Sequence, residues 1–283
     1  MITYFKHIIL IPILTLGSCN LVERADETSS SFEREECVIK VATFNIGHFS
    51  NGKFTNPDGT YSNLLDYKRK LDRIGADVLA INENSAFFDK DNTINVSDLY
   101  SEYQYKIFGS SHNYDFNSLL SKFYIKESKE AQFSNSESRY YIDSVIIADE
   151  ILIHVVVTHL DLDDIEKRSA QIGTLLDLVH NYDTFIICGD MNPSSKIKNI
   201  AGDDPLSQYK KDYSRFVDAG YKLANCGDFG EFNTLVKWEG SKIYPWDNII
   251  VSPNINIVSV KRENIVLSDH YPLTATIRFV NNN

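Results

Sequence analysis

Apolar residues recur along this chain in short runs, each closed by a polar residue or a glycine. Val38 to Ile46 predicts a strand with polar residues at its far end. Leu64, Tyr67, Leu71 and Ile74 then recur at helical spacing with Lys and Arg between them, which predicts an amphipathic helix stopped by Gly75. Val78 to Ile81 reads as a short buried strand, and Asp89 to Tyr105 as loop with a short helix. Asn117 to Tyr124 and Ser144 to Ala148 read as strands, and the β-branched run Ile151 to His159 as a strong one. Ile165, Ile172, Leu175, Leu176 and Val179 mark a second amphipathic helix. Thr184 to Cys188 is an apolar strand ending at Gly189. Tyr209 to Ala219 reads as a helix ending at Gly220. Asn248 to Val251, Ile255 to Val260 and Leu273 to Phe279 complete the strands.

No repeat and no Pro/Ser-rich break interrupts residues 37–280, which therefore read as one domain. Strands outnumber helices, and two helices fall between strand pairs. Many strands are apolar on both faces, as sheets packed together and covered by helices require.

The amino terminus follows another pattern. Lys6 and His7 precede the apolar stretch Ile8 to Leu16, which is short for a bilayer span and matches the apolar region of a secretory signal peptide. Leu16-Gly17-Ser18-Cys19 resembles a bacterial lipobox, which implies cleavage before Cys19 and a lipid on its sulfur. Residues 1–18 are thus expected to be a lipoprotein signal peptide, and residues 19–36, rich in Ser, Glu, Asp and Thr, a flexible tether. The domain is expected to be exported and anchored to a bacterial membrane, on its periplasmic or cell-surface face, and to be a monomer. Cys37, Cys188 and Cys226 remain. Export permits a disulfide, and Cys37–Cys226 is the candidate pair, with Cys188 a core residue.

Composition narrows the chemistry. The formal net charge is −11, and no run of Lys and Arg supplies the basic face of a general nucleic-acid binder. Clustered carboxylates suit a cation site, where the bound ion supplies the positive charge that meets a phosphate. The aromatic-rich stretch Tyr100 to Phe116 suits either a stacking surface or the core. No cysteine–histidine spacing for structural zinc, no phosphate-binding glycine loop and no serine-hydrolase elbow is present.

Polar residues stand repeatedly at the ends of the apolar strands. Asn45, Glu83 and His159 end the first three; Asp190 and Asn192 end the fourth; Asp247 precedes another; Asp269 and His270 precede the last. Singly, Asp and Asn are common turn residues and a lone His is commonly structural. Together they stand where a rigid scaffold presents a site. Carboxylates and an amide oxygen are hard ligands for Mg²⁺, Mn²⁺ or Ca²⁺, and two imidazoles serve proton transfer and phosphoryl oxygens.

The order of these motifs resembles the endonuclease/exonuclease/phosphatase superfamily, which includes deoxyribonuclease I-like nucleases, abasic-site endonucleases, inositol polyphosphate 5-phosphatases and neutral sphingomyelinases. The resemblance rests on Thr43-Phe44-Asn45, Leu79-Ala80-Ile81-Asn82-Glu83, Thr158-His159-Leu160, Arg168 and Gln171, Gly189-Asp190-Met191-Asn192, Asp247-Asn248-Ile249 and Ser268-Asp269-His270. Asn82 replaces the usual Gln and Asn248 the usual aromatic residue; neither is expected to carry chemistry the reaction needs.

The resemblance implies a four-layer αββα sandwich with two mixed sheets face to face. It implies metal ligation, by Mg²⁺ first, through Asn45, Glu83 and Asp269. Asp190 would activate the attacking water and Asn192 hold that water or a phosphate oxygen. His270 would contact the phosphate, oriented by Asp247, and His159 would be a second phosphate contact or the proton donor to the leaving oxygen. Arg139 and Arg168 are candidates for a second phosphate, though Arg168 also suits packing on its helix. The expected activity is metal-dependent hydrolysis of phosphate esters, taken as a phosphodiesterase or endonuclease. The alternatives are a phosphatase or phospholipase-C-like hydrolase of inositol phosphates or sphingomyelin, and an inactive binding lipoprotein. The substrate is correspondingly a nucleic acid, a phosphorylated small molecule or a phospholipid head group.

Overall fold

The first strand, β1 (Val38–Asn45), enters a sheet whose pairings explain the whole architecture. β1 pairs in parallel with β2 (Val78–Asn82), and the connection runs through helix α1 (Leu64–Asp72). Parallel neighbours need such a crossover, because a tight turn cannot return the chain to the same end. Antiparallel partners extend the sheet: β4 (Ser118–Ser121) and β3 (Tyr105–Phe108) beyond β2, and β12 (Leu273–Phe279) and β11 (Ile255–Arg262) beyond β1. The order is β11-β12-β1-β2-β4-β3. A short helix, α2 (Val96–Leu99), precedes β3.

The second sheet repeats this plan. β7 (Ile151–His159) and β8 (Phe185–Asp190) are parallel neighbours joined by α3 (Ile165–Val179). β5 (Tyr124–Gln132) and β6 (Tyr140–Ala148) add on one side. On the other side lie β10 (Asp247–Val251) and the two-residue β9 (Lys222–Leu223), which follows α4 (Pro205–Asp218). The order is β5-β6-β7-β8-β10-β9.

Strand alternation assigns the layers. Ile39, Val41, Val78, Ala80, Ile153, Val155, Val157, Ile186, Cys188, Ile249 and Val251 form one buried cluster between the sheets. The alternate residues Ala42, Phe44, Leu79 and Ile81 pack outward with Leu71, Ile74 and Leu99. Val156, Phe185 and Ile187 do the same with Ile172, Leu175 and Val179 of α3 and Tyr213 and Phe216 of α4. The result is the expected αββα sandwich. Each fully buried aliphatic side chain contributes about 1.5–3 kcal/mol relative to exposure.

The computed structural model describes residues 36–47, 64–84, 96–109, 117–136, 138–193, 205–236 and 245–279. The expected signal peptide, Cys19 and most of the tether lie outside them. So do residues 110–116 of the aromatic stretch, whose earlier part divides: Tyr100 and Tyr103 are core residues, while Phe108 is exposed. None of the described helices is long and apolar enough to cross a membrane.

Several expectations need correction. The stretch Asn117 to Tyr124 is one strand plus the start of another, and β5 runs on to Gln132 where no strand was expected. β5 is an exposed edge strand, so its sequence carries no alternation of buried positions; Lys126, Glu127 and Lys129 instead guard an open edge. β3 occupies the end of the stretch read as loop and helix and continues past it. Cys37, Cys188 and Cys226 are all free, so the Cys37–Cys226 bridge is absent.

Arg168 packs rather than facing a substrate. It is fully buried, and its Nε donates to Asp212 Oδ2 of α4 at 2.9 Å. Its Nη1 donates to Asp161 O at 3.1 Å. Removing one partner of a buried pair leaves the other charge uncompensated, which costs about 3–5 kcal/mol. Asp212→Ala is therefore expected to destabilise the domain by about that amount in urea denaturation. A loss of under about 1 kcal/mol would mean that the pair is not desolvated as the burial indicates.

Candidate active site

Register gathers the polar strand ends. Asn45 lies opposite Asn82 across the β1–β2 pair. His159 lies opposite Asp190 across β7–β8, and Asp190 opposite Asp247 across β8–β10. The same alternation that buries Val41, Ala80, Val157, Cys188 and Ile249 between the sheets points these five residues into that space, Asn82, His159, Asp190 and Asp247 one inward position further along and Asn45 two, beyond Thr43. Residues separated by most of the chain therefore meet at one end of the sandwich.

Two further residues arrive by backbone exceptions. Glu83 follows β2 with φ +54°, a left-handed conformation unusual for Glu. The turn brings its carboxylate back over the sheets, where Asn45 Nδ2 donates to Glu83 Oε1 at 3.0 Å. Asn192 has φ +43°, and its backbone N–H donates to Asp190 Oδ1 at 2.9 Å. The Asn192 side chain donates to Leu160 O at 2.8 Å, tying the loops after β7 and β8 together.

Asn45 bridges two carboxylates, donating also to Asp190 Oδ2 at 3.0 Å. Its Oδ1 accepts the Gly47 N–H at 3.0 Å, which defines the orientation of the amide. Both imidazoles approach Asp190 Oδ2: His159 Nε2 at 3.6 Å and His270 Nε2 at 3.7 Å. His159 Nε2 is also 3.9 Å from Glu83 Oε1. His270 Nδ1 donates to Asp247 Oδ2 at 2.8 Å. Ser268 Oγ accepts the His270 N–H at 3.2 Å and donates to Asp269 Oδ1 at 3.1 Å, which shapes the loop before β12. Gly47 lies against that loop: a Cβ there would be 3.2 Å from Asp269 Oδ1. Asp269 is exposed at the edge of the group, beside the loop that follows Asn45.

These contacts set the charge states. Burial, with the Asp247 charge adding to it, pushes the Asp190 carboxyl up to about 7 against the lowering influence of His270, Asn45 and the Asn192 N–H. Burial also acts to lower the His270 imidazole. The charge and hydrogen bond of Asp247 outweigh it, with Asp190 and Asp269 adding, and His270 is raised to about 10. The pair is thus an imidazolium held by a carboxylate.

The donor set suits a hard divalent cation. Asp190, Asp247 and His270 bring potential ligand atoms within 4.8 Å of one another. Asp247 Oδ1 is buried and accepts no hydrogen bond. Glu83, Asp190, Asp247 and Asp269 together exceed the positive charge that two imidazoles supply, an imbalance that a divalent ion offsets. His270 and Asp247 are joined by a hydrogen bond, while Glu83 and Asp269 are the more open carboxylates of the group.

A family model described as the endonuclease/exonuclease/phosphatase family matches residues 42–270. The chain belongs to the endonuclease/exonuclease/phosphatase family. The reaction class of this family is hydrolysis of phosphate esters. Solved structures share the fold. An endonuclease/exonuclease/phosphatase from Beutenbergia cavernae superposes with a TM-score of 0.68 at 17% identity, over 86% of this chain and 72% of that one. One from Bacteroides vulgatus gives 0.61 at 16% identity, over 86% and 99%. D. rerio TDP2, solved with a single strand DNA product, gives 0.60 at 14% identity, over 85% and 98%. At these identities the likeness is one of fold. A search of the curated proteins found no match.

The structure also shows what the family motifs leave out. Asn82 and Asn248, taken above as incidental departures from the family pattern, are both buried and fully engaged. Asn248 Oδ1 accepts the Asn225 N–H at 2.9 Å and its Nδ2 donates to Asn225 O at 2.7 Å. Asn225 in turn donates to Asp247 O and Phe232 O, each at 3.0 Å. An amide pair thus braces the backbone behind Asp247, which an aromatic ring cannot do. Trp246 was also missed. Its ring meets His270 edge-on, with centroids 6.4 Å apart, and it packs with Leu235 and Leu162 as an apolar flank. The only sequence signal was its place beside Asp247.

Proposed function

We propose that this protein is a metal-dependent phosphodiesterase that cleaves nucleic acid, exported and held at a bacterial membrane by lipid on Cys19. The observation that carries the reading is the meeting of Asn45, Glu83, His159, Asp190, Asp247 and His270 from both sheets around one buried carboxylate.

Glu83 and Asp269 would hold Mg²⁺, with Asn45 keeping Glu83 and Asp190 in fixed relation. The bound ion would offset charge on the phosphate and on the leaving oxygen. Asp190 takes the proton of the attacking water; burial raises its basicity toward neutrality, where a general base works best. The Asn192 N–H holds the other Asp190 oxygen, and the Asn192 side chain, whose Nδ2 is taken by Leu160 O, would hold the same water or a phosphate oxygen through what remains of its amide. His270, kept protonated by Asp247, meets the phosphate oxygens as charge accumulates on them. His159 donates to a phosphate oxygen or to the leaving oxygen.

Two observations support nucleic acid as substrate. D. rerio TDP2, with which this chain shares its fold, was solved with a DNA product. Partly exposed Leu162, packed on the buried Trp246 and Leu235 beside His270, offers an apolar contact for a nucleoside. One observation favours the sphingomyelin branch of the second reading over either polyanionic substrate, nucleic acid or inositol phosphate. The loop after His159 carries Asp161, Asp163 and Asp164, charges that repel a polyanion.

The test uses full-length protein in detergent with Mg²⁺, assayed on plasmid DNA, bis-nitrophenyl phosphate, inositol phosphates and sphingomyelin. DNA and bis-nitrophenyl phosphate are expected to be cleaved, and EDTA to abolish the activity. Turnover confined to inositol phosphates or sphingomyelin would move the assignment to the second reading. No hydrolysis with Mg²⁺, Mn²⁺ or Ca²⁺ would remove the enzymatic reading. Cys19→Ser is expected to release the protein from the membrane fraction.

A further inference from the structure

We propose that Asn82 is the positioning residue that sets Glu83, His159 and Asp190 at their working separation; this rests on the phosphate-ester reading above. Asn82 is fully buried, and it lies directly before Glu83 in the chain. Its Nδ2 donates to Thr158 O at 2.9 Å, the carbonyl directly before His159. Its Oδ1 accepts the backbone N–H of Asp190 itself at 2.9 Å. The second Nδ2 hydrogen goes to Asn117 Oδ1 at 2.8 Å, and Asn117 Nδ2 continues to Tyr140 O at 2.7 Å. One amide on the first sheet therefore grips the second sheet at two points, each adjoining or belonging to a reacting residue.

The residue type is dictated by this geometry. The site needs two donors and one acceptor in one plane. Asp in the same shape offers acceptors only, and would turn them on Thr158 O and Asn117 Oδ1. Gly189 belongs to the same arrangement: it has φ +151°, and a Cβ there would lie 1.8 Å from Thr158 O. Only bare backbone lets the Thr158 carbonyl stand where Asn82 reaches it. Asn45 touches the carboxylates, whereas Asn82 bonds no carboxylate, only the Thr158 and Asp190 backbone and the Asn117 amide, so its effect is on where the reacting groups stand. Groups that orient metal ligands change metal affinity or activity by about 10–100-fold when removed. A displacement of about 1 Å at a reacting group costs about 10²-fold.

The experiment compares full-length wild type, Asn82→Ala, Asn82→Asp, Asn82→Gln and Asn84→Ala. It measures kcat and KM with Mg²⁺, Mn²⁺ affinity by electron paramagnetic resonance, and Tm. Asn84 is the matched control: it is also a buried amide, but it bonds Ser118 Oγ and the Tyr100 hydroxyl and touches neither His159 nor Asp190. Asn82→Ala is expected to lower kcat about 10²-fold with KM within about threefold, and to weaken Mn²⁺ binding about tenfold. Asn82→Asp should behave alike, and it carries the test should Asn82→Ala not fold. Asn82→Gln, which restores donors and acceptor, should recover most of the loss. Asn84→Ala should lower Tm with kcat and Mn²⁺ affinity unchanged.

Wild-type kcat and Mn²⁺ affinity in folded Asn82→Ala or Asn82→Asp would overturn the proposal. So would an equal loss in Asn84→Ala. In either case an active, metal-binding wild type leaves the phosphate-ester reading standing. A wild type that neither binds Mn²⁺ nor hydrolyses any phosphate ester takes both down.

Discussion

Replacing Asp190 with Asn lowers kcat by about 10²–10⁴-fold on any phosphate ester the enzyme hydrolyses, and leaves the fold intact. Asp190 is the one carboxylate here approached by both imidazoles and by Asn45. Asn keeps the shape and an oxygen for the Asn192 N–H, so the loop after β8 survives the change. What is lost is the base. Stability should move the other way. The Asp190 carboxyl is raised from 3.8 to about 7 chiefly by burial, so the fold favours the protonated form. That contribution is complete below pH 3.8 and is lost as pH rises through about 7. At pH 8 the wild type carries a buried charge that Asp190→Asn lacks, and the variant should melt at an equal or higher temperature. Scanning calorimetry and steady-state kinetics on one preparation check both halves. Near-normal turnover would remove Asp190 from the mechanism.

His270→Ala lowers kcat by about 10²–10³-fold, and Asp247→Asn does so increasingly as pH rises. Asp247 holds His270 protonated to about pH 10. In Asp247→Asn the charge and the charge-assisted hydrogen bond are gone, so burial lowers the imidazole. The alkaline limb of the rate profile should therefore move toward neutral pH. The stability linkage has a definite sign. A folded-state value raised above 6.5 contributes stability that is present in full below 6.5 and lost as pH rises through about 10. Asp247→Asn should lose that contribution between those limits. The two residues act as a unit, so the double variant should be little worse in kcat than His270→Ala alone. Additive losses in kcat would mean that Asp247 acts independently of His270, and an unmoved alkaline limb would mean that it does not set the imidazole's charge.

Most of the site was legible because of strand periodicity. His159, Asp190 and Asp247 occupy the next inward position beside apolar residues that alternate along β7, β8 and β10, and Asn45 follows the inward-facing Thr43 on β1. A polar residue at that position marks the rim of the buried layer, and a sequence shows it without any model. Elements that bury little were harder to see. β5 is exposed along most of its length and β9 has two residues, so neither leaves a periodic trace. Their existence depends on hydrogen bonds to β6 and β10 rather than on their own composition.

Roles that depend on distance between segments were not legible at all. Asn82 stands among the residues of β2 as one more polar end, yet it holds Asp190 from 108 residues away. By its sequence Arg168 suits either a phosphate or the core, and Asp212, 44 residues away, decides for the core. The Asn45 amide could face the carboxylates with either end until the Gly47 N–H claimed its oxygen.

By itself, then, the sequence determined the layered α/β fold, the strands that build it and the inventory of polar groups at their ends, because burial repeats locally along a strand every second residue. Only the tertiary structure decided which of those groups touch, which imidazole is paired with which carboxylate, and which amides brace them. Such contacts join residues on separate strands and separate sheets, and their geometry follows from how the sheets pack, which no local pattern encodes.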